Sequence, residues 1–204
     1  MAPRQKLPLS NDVSVVPTSS DPTSLEIAIV GAGVAGIVTA RVLKGQGFSD
    51  LTVFEAGTSV SGVWSQGYPG FGIQTPGKLY EFPDKELPTP KDYKSGDDVR
   101  AYCEEYCTEH DLWPMIKLNT KVTAINGKDT PSGKKWLLTT KASDGLTSTQ
   151  AFDFVVLATG IYSPNLKHIP AIPGMEHFKG KICHSQDSAD WNATRQGKKV
   201  AVVG

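Results

Sequence analysis

Gly31, Gly33 and Gly36 stand in the spacing Gly-x-Gly-x-x-Gly, and Glu55 follows the last of them by 19 residues. Between a strand and a helix these positions have separate tasks. Gly31 permits the tight turn, Gly33 lets backbone approach a pyrophosphate, and Gly36 lets the helix lie close against the strand. Ala32, Val34 and Ala35 complete the run. Its free amides lie at the positive end of the helix, where an anion is held. Glu55 is predicted to end the next strand, where its carboxylate accepts hydrogen bonds from the ribose hydroxyls of an adenosine and repels a 2′-phosphate. The same residues also suit a glycine-rich structural turn beside a solvated glutamate. The strand–turn–helix context, with the carboxylate in register, favours the nucleotide. Alone, the fingerprint does not separate NAD from FAD.

A second cluster reads differently. Cys103, Cys107 and His110 fall at i, i+4 and i+7, on one helical face, so a metal site is conceivable. That face also carries Val99, Tyr102 and Tyr106, and free cysteines behave as small buried hydrophobes. No fourth ligand or supporting shell is indicated. We therefore predict core packing and no metal.

The elements that position the glycine turn follow from hydrophobic pattern. Leu25 to Val30 is a short run rich in β-branched residues and predicts a buried strand ended by Gly31. Val34, Ile37, Val38, Val42 and Leu43 recur at helical spacing, predicting a helix that Gly45 and Gly47 end. Leu51 to Phe54 predicts a second short strand, completing a βαβ unit. From Gly57 to Pro90 the chain is dense in Gly, Pro and aromatic residues, which predicts long ordered loops of functional use. Ser95 or Asp97 caps a further helix with Val99, Tyr102, Cys103, Tyr106 and His110 as its apolar stripe. The segments 121–125, 136–140 and 152–158 read as strands, with turns at Asn126-Gly127, at 131–133 and at Asp144-Gly145. The antiparallel members predict a small layer inserted before the last parallel strand. A proline-punctuated connector spans 161–173. The run 199–203, Lys-Val-Ala-Val-Val, predicts a new strand before Gly204. No internal repeat is visible.

Composition narrows the partners. A chain of 204 residues fits one ordinary domain, with or without a tail. Hydrophobic residues make up 39% and charged residues 21%, a soluble globular balance. Lys plus Arg and Asp plus Glu both number 21, so no global field draws the chain to nucleic acid or to an anionic membrane. No run approaches the roughly 18 apolar residues of a membrane span. Three cysteines are an odd, small set that suits a reducing compartment. Residues 1–24 are rich in Pro, Ser and Thr and lack the apolar centre of a signal peptide. They predict a mobile tail on a cytoplasmic protein.

Further motifs then occur in one order. Gly62-Val63-Trp64 follows Glu55. Tyr68-Pro69-Gly70, Gln74-Thr75-Pro76 and Tyr80-Glu81-Phe82-Pro83-Asp84 occupy the loops. Ala158-Thr159-Gly160 closes a strand, Phe178-x-Gly180-x-x-x-His184 follows the connector, and 198–204 opens a strand ending in glycine. From 25 to 204 this arrangement resembles the flavin-containing monooxygenases and their Baeyer–Villiger relatives. The resemblance implies FAD as the ligand of the first turn. It places Gly31, Ala32, Gly33, Val34, Ala35, Gly36, Glu55, Val63, Trp64, Gln74, Thr75, Val122, Thr159 and Gly160 around that cofactor. Gln74 aligns where many amine- and sulfur-oxidising members carry Asn beside the flavin, so it is the candidate catalytic amide, displaced by one methylene. Trp64 is read either as packing on the flavin or as structural. His184 is read as a hydrogen-bonded hinge rather than an acid or base, and Trp136 and Trp191 as core or rim. Two positions depart from the pattern. Ser61 stands where the family has a first glycine before Gly62. Ser188 stands where members have Tyr, Phe or, in the Baeyer–Villiger branch, Trp, which leaves the branch open.

The implied fold is α/β: a three-layer, Rossmann-type parallel sheet that binds FAD, with a small antiparallel β layer. Residues 25–180 form that domain, and 181–204 form a linker and the first strand of a second, NADPH-binding fold. The chain is expected to stop before that second site is built. Two functions follow. One is an oxidoreductase in which NADPH reduces FAD and one atom of O2 enters a small molecule. The other is a shortened relative binding FAD or another small molecule without redox turnover, as an accessory protein or non-redox catalyst. The apolar run 199–203 predicts self-association or a second polypeptide as partner.

Overall fold

A computed structural model describes residues 21–68, 70–87, 93–127, 133–162, 168–185, 187 and 197–203. Pro69, Pro131, Ser188, Trp191, Gly204 and residues 1–20 of the predicted tail lie outside them. A four-stranded sheet is built from β1 (Ile27–Val30), β2 (Leu51–Phe54), β3 (Ile116–Lys117) and β7 (Phe154–Leu157), in the order β3-β2-β1-β7. All its pairs are parallel, with Ile27 in register with both Leu51 and Phe154. A separate antiparallel sheet is ordered β4 (Thr120–Gly127), β5 (Trp136–Ala142), β6 (Thr147–Phe152).

Successive side chains of a strand point to opposite faces, and the two hydrophobic cores follow from that alternation. Ile27, Ile29, Leu51 and Val53 pack with Ile37 and Ala40 of α1 (Val34–Gly45) and with Val99, Tyr102, Cys103, Tyr106 and Cys107 of α2 (Gly96–Glu109). Ala28, Val30 and Phe54 pack instead with Leu138 and Phe152 of the antiparallel sheet, and the Phe54 and Phe152 rings meet edge to face at 5.9 Å. The layers are therefore helices, parallel sheet and antiparallel sheet, as the sequence implied.

Of the two candidate caps for α2, Ser95 serves. Its hydroxyl accepts the Asp98 N–H at 3.1 Å, and the Asp98 carboxylate accepts the Ser95 N–H at 2.9 Å, a reciprocal capping box. Cys103 and Cys107 are fully buried, and burial pushes both thiols up to about 12. His110 departs from the predicted apolar stripe, because it ends α2 in a polar cluster described below.

Five elements differ from expectation. The single strand read over 152–158 is two, divided at Asp153. The Asp153 N–H donates to the Glu26 carbonyl and its carboxylate accepts the Glu26 N–H, both at 2.9 Å, so the chain leaves one sheet and enters the other at that residue. β6, with Thr, Ser and Gln on an exposed surface, and the two-residue β3 carry no apolar alternation that a sequence reading could detect. Pro22–Ser24 form a 3₁₀ turn capped by Asp21, within the predicted tail. Finally, 199–203 forms no ladder among the described residues, and Val200, Val202 and Val203 are exposed. An apolar run becomes a strand only when a neighbouring strand takes its amides.

Candidate functional site

β1 delivers the chain into the glycine turn and α1 carries it away. Gly31 has φ +104°, and a side chain there would collide with the Ala158 carbonyl at the end of β7. A side chain on Gly36 would collide with the Gly31 carbonyl. These two glycines are thus required by close approach. The Ala158 N–H donates to the Val30 carbonyl at 2.8 Å, which fixes the Ala158-Thr159-Gly160 corner beside the turn. Gly33 caps α1 with extended backbone; no side chain caps that end, and no acidic residue stands in the first turn. The amides of Val34 and Ala35 therefore open a helix whose positive end has no side-chain acceptor.

Glu55 follows β2 and reaches back. One carboxylate oxygen accepts the Ala32 N–H at 2.8 Å and the other the Gly57 N–H at 2.7 Å. A carboxylate has about four acceptor positions, so capacity remains for ribose hydroxyls. The Glu55 main chain is held by the Lys117 carbonyl at 2.9 Å and by the Thr120 N–H at 2.8 Å. Val122, two residues beyond Thr120, lies half-buried beside a β-bulge between Val122 and Ala124 and packs against the core that contains Val30 and Phe54.

Ser61 and Gly62 lie against the turn from the other side. The Ser61 N–H donates to the Ala32 carbonyl at 3.0 Å, and a side chain on Gly62 would sit 3.2 Å from the Gly33 Cα. Both residues have left-handed φ, 84° and 59°. Val63 and Val34 are exposed close to this contact. Trp64, half-buried, packs 4.9 Å from the Phe71 ring and 5.6 Å from Tyr80, edge-on. The structure thus brings Gly31, Ala32, Gly33, Gly36, Glu55, Val63, Trp64 and the Ala158-Thr159-Gly160 corner into one neighbourhood. Gln74 and Thr75 are exposed, and among the described residues no hydrogen bond ties either to the turn. His184 accepts the Asp187 N–H through its carbonyl at 2.9 Å.

Sequence reasoning missed a polar cluster behind this site. The Arg41 Nε–H donates to His110 Nδ1 at 2.8 Å, and its guanidinium meets Asp84 at 3.1 Å. Asp84 also accepts the Tyr106 hydroxyl at 2.8 Å. That bond above all, with the Arg41 charge, holds the Asp84 carboxyl below its usual range against the opposing effect of burial. No periodicity or motif signals such a long-range pairing. His110 thus pairs with Arg41, and both α2 thiols lie in the core.

The chain's residues 24–204 match the family described as flavin-binding monooxygenase-like. The chain belongs to that family. It is 33% identical over 89% of its length to a probable flavin-containing monooxygenase of Arabidopsis thaliana, of which it covers 39%. It is 36% identical over 80% of its length to a Baeyer–Villiger monooxygenase of Penicillium patulum, covering 26% of that protein. Among solved structures, the S-allyl-L-cysteine S-oxygenase of Allium sativum superposes with a TM-score of 0.68 and 26% identity, over 80% of this chain and 42% of that one. A steroid monooxygenase bound to NADP gives 0.60 and 26%, over 80% and 31%. This family member thus spans less than half the length of these relatives, and its resemblance reaches both branches.

Proposed function

We propose that this chain builds the FAD-holding part of an NADPH-dependent monooxygenase that places one atom of O2 into a small organic molecule. The observation that carries the reading is the pair of backbone approaches, Gly31 on Ala158 and Gly33 on Gly62, joined by the Glu55 carboxylate. Such a cradle suits a long dinucleotide, with the pyrophosphate at the start of α1 and the adenosine ribose at Glu55. Val122 lies toward the adenosine end, and Val63, Trp64, Thr159 and Gly160 toward the flavin. When bound, FAD supplies the acceptance of two electrons from NADPH and the reaction with oxygen. The chain's own residues bind and orient it; Gln74 offers an amide at the ring, and Thr75 flanks it. The relatives are more than twice as long, and the NADPH site and substrate contacts are assigned to such additional sequence, in the same chain or in an associated polypeptide. Cys183, the half-exposed thiol, suits a reducing compartment, and we place the protein in the cytoplasm.

The test is retention. The purified chain is mixed with FAD or with NAD and desalted, and the bound nucleotide is measured. FAD should remain, and Glu55→Arg should weaken it by about 2–4 kcal/mol through lost charge-assisted hydrogen bonds. Preferential retention of NAD overturns the reading. FAD retention without reduction by NADPH, even when the further sequence that the relatives carry is supplied, points to an accessory or non-redox role instead.

A further inference from the structure

We propose that Arg41 is a positioning residue for the cofactor, a role that presupposes the FAD reading above. A guanidinium only donates hydrogen bonds, so His110 Nδ1 accepts from Arg41 and the imidazole proton of this arrangement sits on Nε2, 3.6 Å from Asp84. The planar fork serves two partners at once, on α2 and on the 82–85 segment, and so sets the rotation of α1 as well as its distance.

The 82–85 segment is itself locked to α2. The Tyr102 hydroxyl donates to the Lys85 carbonyl at 2.5 Å and accepts the Phe82 N–H at 2.7 Å. The Phe82 ring lies 4.3 Å from Tyr106 and 4.9 Å from Tyr102, and the Lys85 ammonium pairs with Glu109 and with Glu105. Tyr80 comes just before this segment and touches Trp64, which follows Gly62, which lies on Gly33. The contacts close a ring: glycine turn, α1, Arg41, Asp84, Tyr80, Trp64, Gly62, glycine turn. α1 is already fastened to the sheet by Ile37 and Ala40, both fully buried. The Arg41 side chain is 31% exposed and that of Asp84 36%, where an ion pair adds little to stability. Its consequence is geometric, because it fixes the aromatic wall relative to the pyrophosphate end of the site.

The experiment compares Arg41→Met, Asp84→Asn, their double variant and Arg41→Lys for FAD affinity and for quenching of flavin fluorescence. Each single loss should weaken FAD about tenfold and alter the quenching, and the double variant should do no more, since the two residues act as a unit. Arg41→Lys keeps the charge but cannot serve both partners, and should fall between. A role in stability alone lowers the melting temperature and leaves affinity and quenching untouched. Folded Arg41→Met with wild-type values of both overturns the proposal. If Arg41→Met does not fold, Arg41→Lys carries the same readings. If the wild type retains no FAD, the functional reading falls separately, and amide exchange over residues 71–87 of the cofactor-free chain decides the clamp. Faster exchange in Arg41→Met supports it, and unchanged protection overturns it.

Discussion

Ser61 has φ +84°, is 1% exposed, and its buried hydroxyl has no hydrogen-bond partner among the described residues. A left-handed conformation costs an L-residue about 1–2 kcal/mol, and an orphaned buried hydroxyl costs about 1–3 kcal/mol. Glycine gives back roughly 0.5–1 kcal/mol through the freedom of the unfolded chain. Ser61→Gly should therefore stabilise the protein by about 1–4 kcal/mol, raising the melting temperature by several degrees. An unchanged or lower value in a thermal scan would show that the hydroxyl is satisfied in solution. The same position illustrates what a sequence can disclose. The glycine positions of the first turn were legible because positive φ and close backbone approach admit almost nothing else. Ser61 showed only as a departure from a pattern, and its strain emerged with the backbone angle.

At the scale of elements, β1 and β2 were legible as short apolar runs with both faces covered, and α1 by its helical period. β6 was not, since its exposed Thr, Ser and Gln are held by ladder bonds to β5 rather than by burial. The α1–α2 clamp was also hidden, because Arg41 and Asp84 are ordinary charges until the fold brings them together. That clamp has a pH signature. The Asp84 carboxyl is depressed in the folded chain, chiefly by the Tyr106 hydroxyl. A depressed carboxylate contributes stability that is fully present above its unfolded value, about 3.9, and is lost as pH falls through the lower folded value. Asp84→Asn should accordingly be less stable than wild type at neutral pH, and the gap should narrow below about pH 4. Denaturant midpoints at pH 7 and pH 3 that differ by the same amount would contradict this.

The whole molecule presents unequal sheet edges. β4 is bulged, β6 is polar, and β3 is two residues long with a lysine, all devices that discourage strand addition. β7, Phe-Val-Val-Leu, has none of them, and Phe154 and Leu157 are 54% and 67% exposed. Val200, Val202 and Val203 are further exposed apolar side chains. In isolation this 204-residue polypeptide is expected to self-associate, with a sedimentation coefficient that rises with concentration. Leu157→Lys should shift it toward monomer while leaving the partly buried Val155 and Val156 in place. A wild-type chain that stays monomeric across a wide concentration range rules this out.

The carboxylate of Glu55 holds the Ala32 and Gly57 amides with groups that the chain itself supplies. These internal bonds order the turn from within the chain. A ligand that meets a finished receptor acts only on the far side of the folding barrier. In a chevron experiment, FAD should leave the refolding limb where it is and lower the unfolding limb alone, by about a hundredfold at 100 times its dissociation constant. The cofactor would thus govern how long the native protein lasts, and not how quickly it forms.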